Sequence, residues 1–180
     1  LSCQFWLHCA VPSAIAERLV DSCQFGFVHM WQGGTIGSAS RKLNHVGLST
    51  AHNEYMALHH ANKQIYWLRE LMNECGVGNY ISKPTLVWAD NKQANNLCNE
   101  DIVTAGNMYF RTGYHYNKEA VRDGLVTVKY IDTAYNISDA MTKALGSNKV
   151  NTFKTLLHGL TPISEEYYPS LIEGNPDPNP

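Results

Sequence analysis

Thr85 to Asn91 reads Thr-Leu-Val-Trp-Ala-Asp-Asn, an apolar run that ends abruptly on a carboxylate. Pro84 precedes the run and a polar, helix-like segment follows it, which is typical of a short buried strand. Such a strand would deliver Asp90 to the carboxyl edge of a sheet, where open α/β sheets hold their chemistry. The simpler alternative is that Asp90 only caps the next helix, which is a common role for Asp.

A long helix is the clearest pattern upstream of this strand. It begins after Ser49-Thr50, either of which could cap it, and ends before Gly76. Apolar residues form one stripe along it at three- and four-residue steps: Ala57, Leu58, Ala61, Ile65, Leu68, Met72 and Cys75. Glu54 borders this stripe, where an unpaired carboxylate is costly and needs a metal ion or a hydrogen-bond donor. Alternatively, Glu54 only complements the helix dipole.

The remaining patterns predict a mixed sheet flanked by helices. A β-hairpin is predicted around Gln32-Gly33-Gly34, and Leu125 to Ile131 alternates as a strand does. Asn136-Ile137-Ser138-Asp139 has the form of a helix start, and a helical stripe of Val150, Phe153, Leu157 and Leu160 follows it. Because Glu54, Asp90 and Asp139 all lie at element junctions, we interpret them as a metal-binding cluster at one corner of an α/β sheet.

Length and composition narrow the class of protein. A chain of 180 residues with 44% apolar content can bury one core and is too short for two full domains. A net charge of -2 leaves no large basic face, so a nucleic acid would have to be held locally. Five scattered cysteines favour a reducing, intracellular location in the cytoplasm or nucleus, and no apolar span reaches the roughly 20 residues of a membrane helix. The first residue, Leu1, suggests a fragment of a longer polypeptide.

The chain divides into three predicted parts. Residues 1–20 carry no clean period and are interpreted as a divergent N-terminal segment. Residues 21–160 form the predicted domain. Prolines and acidic residues dominate 161–180, which is expected to be a disordered tail because it has little apolar surface to bury.

In order and spacing, a set of short motifs resembles the ribonuclease H domain of copia-type retrotransposon Pol polyproteins, from about Asp21 to Leu160. The motifs are Gly26-Phe27-Val28, Gln32-Gly33-Gly34, Leu48-Ser49-Thr50, Asn53-Glu54-Tyr55-Met56-Ala57-Leu58, Trp67-Leu68-Arg69, Ala89-Asp90-Asn91, Tyr114-His115-Tyr116 and Asp139-Ala140-Met141-Thr142-Lys143. The resemblance implies a ribonuclease H-like α/β fold with a mixed central sheet flanked by helices.

The resemblance also implies a chemistry. In that family, four carboxylates hold two Mg²⁺ ions that hydrolyse the RNA strand of an RNA–DNA hybrid during reverse transcription. Glu54, Asp90 and Asp139 match three of them and are the implied catalytic residues and metal ligands, because hard ions prefer carboxylate oxygens and two ions can share the work on an in-line displacement. The implied partners are the hybrid and the reverse transcriptase and integrase segments of the same polyprotein. Asn91 and His115 are candidate substrate-binding residues.

Two departures from the family weaken the implied activity. The family's first carboxylate belongs to its first strand, which falls near 11–13 here, where there is no acid; Glu17 and Asp21 are the nearest candidates and lie too close to the next strand. We therefore expect this strand to be missing or replaced and catalysis to be impaired. Tyr109-Phe110-Arg111 stands where the family has His-Ile-Asp, which reverses a charge and leaves Arg111 as a candidate phosphate contact.

Two alternatives stay open. The chain could be a non-catalytic ribonuclease H-like remnant or a structural tail of a reverse transcriptase. It could also be a metal-binding module of another class, built on His52, His59 and His60 of the long helix. The simpler explanation of these histidines is a solvated polar face, since no other Cys or His shows ligand spacing.

Overall fold

The computed structural model describes residues 3–10, 23–43, 49–99 and 111–159. A five-stranded sheet of order β3-β2-β1-β4-β5 lies at its centre. The strands are β1 Cys3–Ala10, β2 Gln24–Trp31, β3 Gly34–Lys42, β4 Thr85–Ala89 and β5 Val126–Tyr130. β1 to β3 pair antiparallel, whereas β4 is parallel to both β1 and β5. This is the mixed sheet that the sequence patterns predict.

Helices cover both faces of the sheet. They are α1 Thr50–Glu74, α2 Lys92–Asn99, α3 Arg111–Arg122 and α4 Ser147–Leu157, with a short 3₁₀ helix at Ile137–Met141 that we call the Asp139 turn. α1 packs on the face that carries Phe5 and Leu7 of β1, and α4 packs on the face that carries Trp6. Within the described residues, no helix combines the length and apolarity that crossing a membrane requires.

The first strand, which the sequence left in doubt, is present and central. β1 pairs with β2 along its whole length and with β4 on its other side, where Trp6 lies opposite Trp88 and Leu7 opposite Ala89. Phe5, Trp6 and Leu7 are 0% exposed, as expected of a strand that is buried on both faces. The resemblance placed this strand near residues 11–13, but the structure places it upstream, at Cys3–Ala10. Residues 11–22 fall outside the described part of the chain.

The three-part division of the chain stays a prediction. The described part of the segment 1–20 contributes β1 to the sheet, so this segment is joined to 21–160 by strand pairing. The tail 161–180 lies outside the described residues.

Helix α1 follows the sequence pattern closely. Ser49 caps its start, because its Oγ accepts a hydrogen bond from His52 N at 3.1 Å. Beyond its end, Gly76 takes the left-handed conformation with φ of 75° that glycine adopts at little cost. The stripe is buried from Ala57 to Met72 except for Leu68, which is partly buried, whereas Cys75 is exposed because it lies past the last helical turn.

The C-terminal region differs from the sequence pattern in two respects. Asp139 lies in its own 3₁₀ turn and does not open the last helix. In α4, Phe153 and Leu156 are buried, whereas Val150 is 43% exposed. Phe153 and Leu156 are three residues apart and therefore share one face of α4, the face that packs on the sheet.

Candidate functional site

Asp90, Glu54 and Asp139 reach the same corner of the sheet from three different elements. Asp90 follows β4 directly, and its Oδ2 accepts a hydrogen bond from Thr133 Oγ1 at 2.9 Å. Glu54 belongs to the first turns of α1, and its Oε1 accepts from the backbone N of Cys9 at 3.0 Å. Asp139 is held in its turn beside β1. The structure thus brings together the three acids that the sequence singles out.

His8 of β1 lies at the centre of this corner. Its Nε2 is 3.0 Å from Asp139 Oδ1 and 3.3 Å from Asp90 Oδ2. The parallel register explains the contact, since Leu7 pairs with Ala89 and the next residue of each strand is His8 and Asp90. We refer to His8, Glu54, Asp90 and Asp139 as the corner cluster.

Sequence reasoning missed His8. The signal that could have found it is the similarity between Phe5-Trp6-Leu7-His8 and Val87-Trp88-Ala89-Asp90. Both are apolar runs that end on a polar residue, as the buried strands of a parallel pair do. A search restricted to acids does not recognise the first run as a strand that reaches the site.

Asn136 fixes the Asp139 turn against β1. Its side-chain Nδ2 donates to the carbonyl of Leu7 at 2.8 Å, and its Oδ1 accepts from the backbone N of Ser138 at 3.2 Å. Asn136 is fully buried, so these bonds satisfy an amide that would otherwise be costly to bury. This bridge sets the distance between Asp139 and the end of β1.

Two lysines pair with Asp139. Lys143 Nζ lies 3.1 Å from Asp139 Oδ1, and Lys149 Nζ lies 2.9 Å from Oδ2. Asp139 is only 2% exposed, and each of its two oxygens accepts a hydrogen bond from a lysine. Lys143 Nζ also lies 3.0 Å from His8 Nε2.

Two other carboxylate oxygens of the corner cluster are buried and have no hydrogen-bond partner within the described structure. They are Oε2 of Glu54 and Oδ1 of Asp90. Burial, reinforced by the charge of Asp90, raises the pKa of Glu54 well above its usual value, despite the backbone bond from Cys9. A buried oxygen without a donor is costly, so a cation at this point would stabilise the ionised pair.

The histidine is held in its neutral form mainly by burial. Burial lowers the pKa of His8, Asp90 and Asp139 oppose this effect, and the two lysines lower the pKa further. Neutral imidazole is the form that binds metal ions.

No family model matches the chain. The Pol polyprotein of transposon TNT 1-94 from Nicotiana tabacum is 30% identical over 132 residues, which are 73% of this chain and 10% of that protein. The Pol polyprotein of transposon RE1 from Arabidopsis thaliana is 23% identical over 128 residues, or 71% of this chain and 8% of that protein. The chain is a distant homologue of copia-type Pol polyproteins. It spans about a tenth of the length of these relatives.

Solved structures agree on the fold of this Pol homologue. LC11-RNase H1 in complex with an RNA/DNA hybrid superposes with a TM-score of 0.57 at 9% identity, covering 78% of this chain and 93% of that one. The N-terminal RNase H domain of rv2228c from Mycobacterium tuberculosis gives a TM-score of 0.52 at 7% identity, covering 86% and 97%. The chain therefore has the RNase H-like fold that the sequence motifs imply.

In this RNase H-like fold, the corner cluster fits one divalent ion better than two. Donor atoms of His8, Glu54 and Asp90 lie within 4.8 Å of one another, and two of these residues carry the oxygens without partners. A second ion would need Asp139 and an acid at position 8. Asp139 is paired with two lysines, and position 8 is a histidine. Of the four carboxylates implied by the resemblance, one is therefore replaced by His8 and one, Asp139, is paired with lysines.

The three candidate substrate-binding residues are not members of the corner cluster. Asn91 caps α2, since its Oδ1 accepts from Ala94 N at 3.0 Å. It thus takes the capping role that was the simpler alternative for Asp90. His115 is exposed on α3. Arg111 opens α3, but its side chain lies outside the described structure.

The histidines of α1 serve packing contacts in the described structure. The His59 ring meets Tyr116 edge-on at 5.0 Å, and the His60 ring stacks on Phe25 at 5.3 Å. His52 is buried near the start of the helix. Over the described ranges, the group of three that could hold a metal ion contains His8 and none of these residues. A histidine-based module on α1 is therefore not supported.

Proposed function

We propose that this chain is a ribonuclease H-type domain whose Mg²⁺-dependent hydrolysis of the RNA strand of RNA–DNA hybrids is strongly reduced. The observation that carries the proposal is the imidazole of His8 between Asp90 and Asp139, at 3.3 and 3.0 Å. Acids from three elements remain in place around it, which supports the hydrolytic ancestry. A neutral ring in place of a fourth carboxylate supports the loss of rate.

The reduction follows from charge. A pair of divalent ions would supply the charge that activates water and stabilises the departing oxygen, and such ions need anionic oxygen ligands. Here Asp139 offers its oxygens to Lys143 and Lys149, and His8 adds no negative charge. Glu54 and Asp90 retain one free oxygen each within the described structure, so they are the residues that would hold a single ion.

The substrate and partners follow from the homology and remain proposals. An RNA–DNA hybrid is the substrate class, and its RNA strand is distinguished by its 2′-hydroxyls. LC11-RNase H1, whose fold this chain shares, was solved with such a hybrid. In a Pol polyprotein the neighbours would be the reverse transcriptase and integrase segments, and the activity would serve reverse transcription inside the cell. Asn91, Arg111 and His115 are proposed to contact the hybrid.

Hybrid cleavage tests the proposal directly. The unmodified chain, His8→Asp and Asp90→Asn are incubated with a labelled RNA–DNA hybrid and Mg²⁺. We expect slow cleavage by the unmodified chain, a rise of about tenfold or more in His8→Asp, and none in Asp90→Asn; a tenfold change corresponds to about 1.4 kcal/mol of transition-state stabilisation. His158→Asn, at an exposed position after α4, is the matched histidine control and should cleave as the unmodified chain does.

The alternative is a non-catalytic remnant or structural tail of a reverse transcriptase. The observation that favours it is the pairing of both Asp139 oxygens with lysines, which opposes a metal ion at Asp139 even after position 8 is restored. Absence of cleavage in the unmodified chain, in His8→Asp and in His8→Asp combined with Lys143→Gln and Lys149→Gln would favour this alternative over the proposed hydrolysis.

A further inference from the structure

We propose that His8, Glu54 and Asp90 form a binding site for a single transition-metal ion of the zinc class, with Zn²⁺ or Co²⁺ preferred over Mg²⁺. The inference deepens the proposed function, since it concerns which ion the same corner cluster takes. It depends on the ligand types and their hydrogen bonds. It does not require that the domain cleave a hybrid.

The contacts of His8 place its proton on Nδ1 and a lone pair on Nε2. Thr142 Oγ1 lies 3.3 Å from the carbonyl of Asp139, to which it donates, and 3.0 Å from His8 Nδ1. Because the hydroxyl hydrogen is donated to the carbonyl, Thr142 Oγ1 accepts the other hydrogen bond from His8 Nδ1–H. We therefore assign the proton of the neutral ring to Nδ1.

The position of Lys143 supports this assignment. Its Nζ lies 3.0 Å from His8 Nε2, and an ammonium group can only donate. A proton on Nε2 would oppose the Lys143 donor. With a lone pair on Nε2 instead, Asp139 Oδ1 at 3.0 Å and Asp90 Oδ2 at 3.3 Å oppose that lone pair, and a cation between them relieves the repulsion. Ring orientation by a donor–acceptor contact at the opposite nitrogen is also the arrangement that metal-binding histidines use.

The lone pair of His8 meets two carboxylates that need a cation. Glu54 is 3% exposed, and its Oε2 has no hydrogen-bond partner in the described structure; the same holds for Asp90 Oδ1. The donor atoms offered by the three residues lie within 4.8 Å of one another. Lys143 donates to His8 Nε2, whereas the two carboxylate oxygens have no donor in the described structure, so a positive ion at this point would stabilise all three groups.

Lys143 is a weak occupant of this position. Its side chain is 40% exposed, so the ammonium group can move into water at little cost. Asp139 would keep Lys149 Nζ at 2.9 Å when Lys143 leaves. A bound ion would therefore replace one protein contact at His8 and leave the Asp139 turn neutralised.

The ligand types select the ion. Mg²⁺ requires six oxygens in near-ideal octahedral geometry and binds poorly to imidazole nitrogen. Zn²⁺ takes nitrogen and carboxylate oxygen together, and three protein ligands with one open position are typical of its catalytic sites. One imidazole and two carboxylates therefore favour Zn²⁺ and its spectroscopic substitute Co²⁺.

Metal titration of the full chain tests the inference. Co²⁺ is added to metal-free protein, and its visible d–d absorption is recorded; Zn²⁺ and Mg²⁺ are then used to displace it. We expect one Co²⁺ per chain with an intense, tetrahedral-type band, displaced by Zn²⁺ at concentrations at least about 100-fold lower than Mg²⁺, in line with the Zn²⁺ preference of nitrogen ligands. Displacement by the two ions at similar concentrations, or the lack of a stoichiometric band, would overturn the inference.

Variants connect the band to the three residues. His8→Asp should lose the nitrogen ligand, weaken the band and reduce the Zn²⁺ preference at least about tenfold, in line with the preference of Mg²⁺ for oxygen. His158→Asn should leave the titration unchanged. An unchanged Zn²⁺ preference in folded His8→Asp would also overturn the inference. If His8→Asp does not fold, loss of the band in Asp90→Asn supports the inference, its persistence overturns it, and the selectivity of the unmodified chain decides independently.

The result is separable from the hydrolytic proposal. A chain that binds Zn²⁺ in preference to Mg²⁺ and cleaves no hybrid supports this inference and contradicts the proposed function. Cleavage with Mg²⁺ by a chain that shows no preference for Zn²⁺ supports the proposed function and contradicts this inference.

Discussion

His29 of β2 shows how burial alone changes the behaviour of one residue. Its Nε2 lies 3.3 Å from Cys3 Sγ, and its ring meets Phe5 edge-on with centroids 5.0 Å apart. Burial lowers the pKa of His29 from 6.5 to about 4. Between these values the unfolded chain binds a proton that the folded chain does not. The contribution of His29 to stability is therefore complete above pH 6.5 and is lost as the pH falls towards 4.

Replacing His29 should flatten this dependence. On lowering the pH from 7 to 4.5, the His29 contribution should cost about 2–3 kcal/mol of the free energy of unfolding, because one pKa unit corresponds to about 1.4 kcal/mol. His29→Gln should lose less stability over the same interval by that amount, as measured by urea unfolding at each pH. His158→Gln, at an exposed position, serves as the control and should follow the unmodified chain. Equal pH dependence in His29→Gln and the unmodified chain would contradict the assignment.

The site residues differ in how far the sequence could reveal them. Glu54, Asp90 and Asp139 stand out because acids at the ends of apolar patterns are unusual. His8 does not, because a lone histidine after a short apolar run has many simpler explanations. Lys143 and Lys149 reach Asp139 only through the fold of the Asp139 turn and α4, and no spacing in the sequence indicates both contacts. The identity of the residues was thus more predictable than the charge balance among them.

At the scale of elements, the Asp139 turn depends on one glycine of a neighbouring strand. A Cβ added at Gly26 in β2 would clash with Met141 Cβ and lie 2.9 Å from Thr142 Cγ2. The turn can therefore approach the sheet closely only while position 26 has no side chain. This contact, together with the Asn136 bridge, places Asp139 beside β1.

Gly26→Ala should push the turn away from the sheet. We expect a loss of about 1–3 kcal/mol in the free energy of unfolding, typical of overpacking in a closely packed region, and weaker Co²⁺ binding if the turn carries Thr142 away from His8. Gly37→Ala in β3 is the matched control, since its nearest contact is His29 Cβ at 3.9 Å, an ordinary van der Waals distance. It should be neutral or stabilising by up to about 1 kcal/mol. Urea unfolding compares the two; equal losses would refute the packing argument.

Elements with an apolar pattern sustained over many residues were the most predictable. The sequence of α1 shows an apolar stripe over many turns and a Ser49 cap, whereas the Asp139 turn is too short to show any period. In α4, periodicity favoured Val150, but the covered face is the one with Phe153 and Leu156. An amphipathic pattern defines a helix, and the packing partner decides which of its borderline residues are buried.

At the scale of the whole molecule, β1 joins two halves of the sheet. It is the strand through which the β2–β3 pair meets the β4–β5 pair, and it presents Phe5 and Leu7 to one core and Trp6 to the other. These three side chains are 0% exposed. Burying a side chain such as Phe or Leu contributes about 1.5–3 kcal/mol, so losing all three removes an amount comparable with the roughly 5–15 kcal/mol net stability of a domain.

Removing residues 1–10 should therefore abolish cooperative unfolding, because the remaining strands would form two separate pairs with open edges and no shared core. Thermal unfolding followed by far-ultraviolet circular dichroism measures this, and the full chain should show one cooperative transition. A chain that lacks 161–180 is the control, because the three-part division of the sequence places that segment outside the domain. It should retain the transition of the full chain. If the chain without residues 1–10 unfolds cooperatively near the midpoint of the full chain, β1 is dispensable, and the division that begins the domain at residue 21 gains support over the sheet described above.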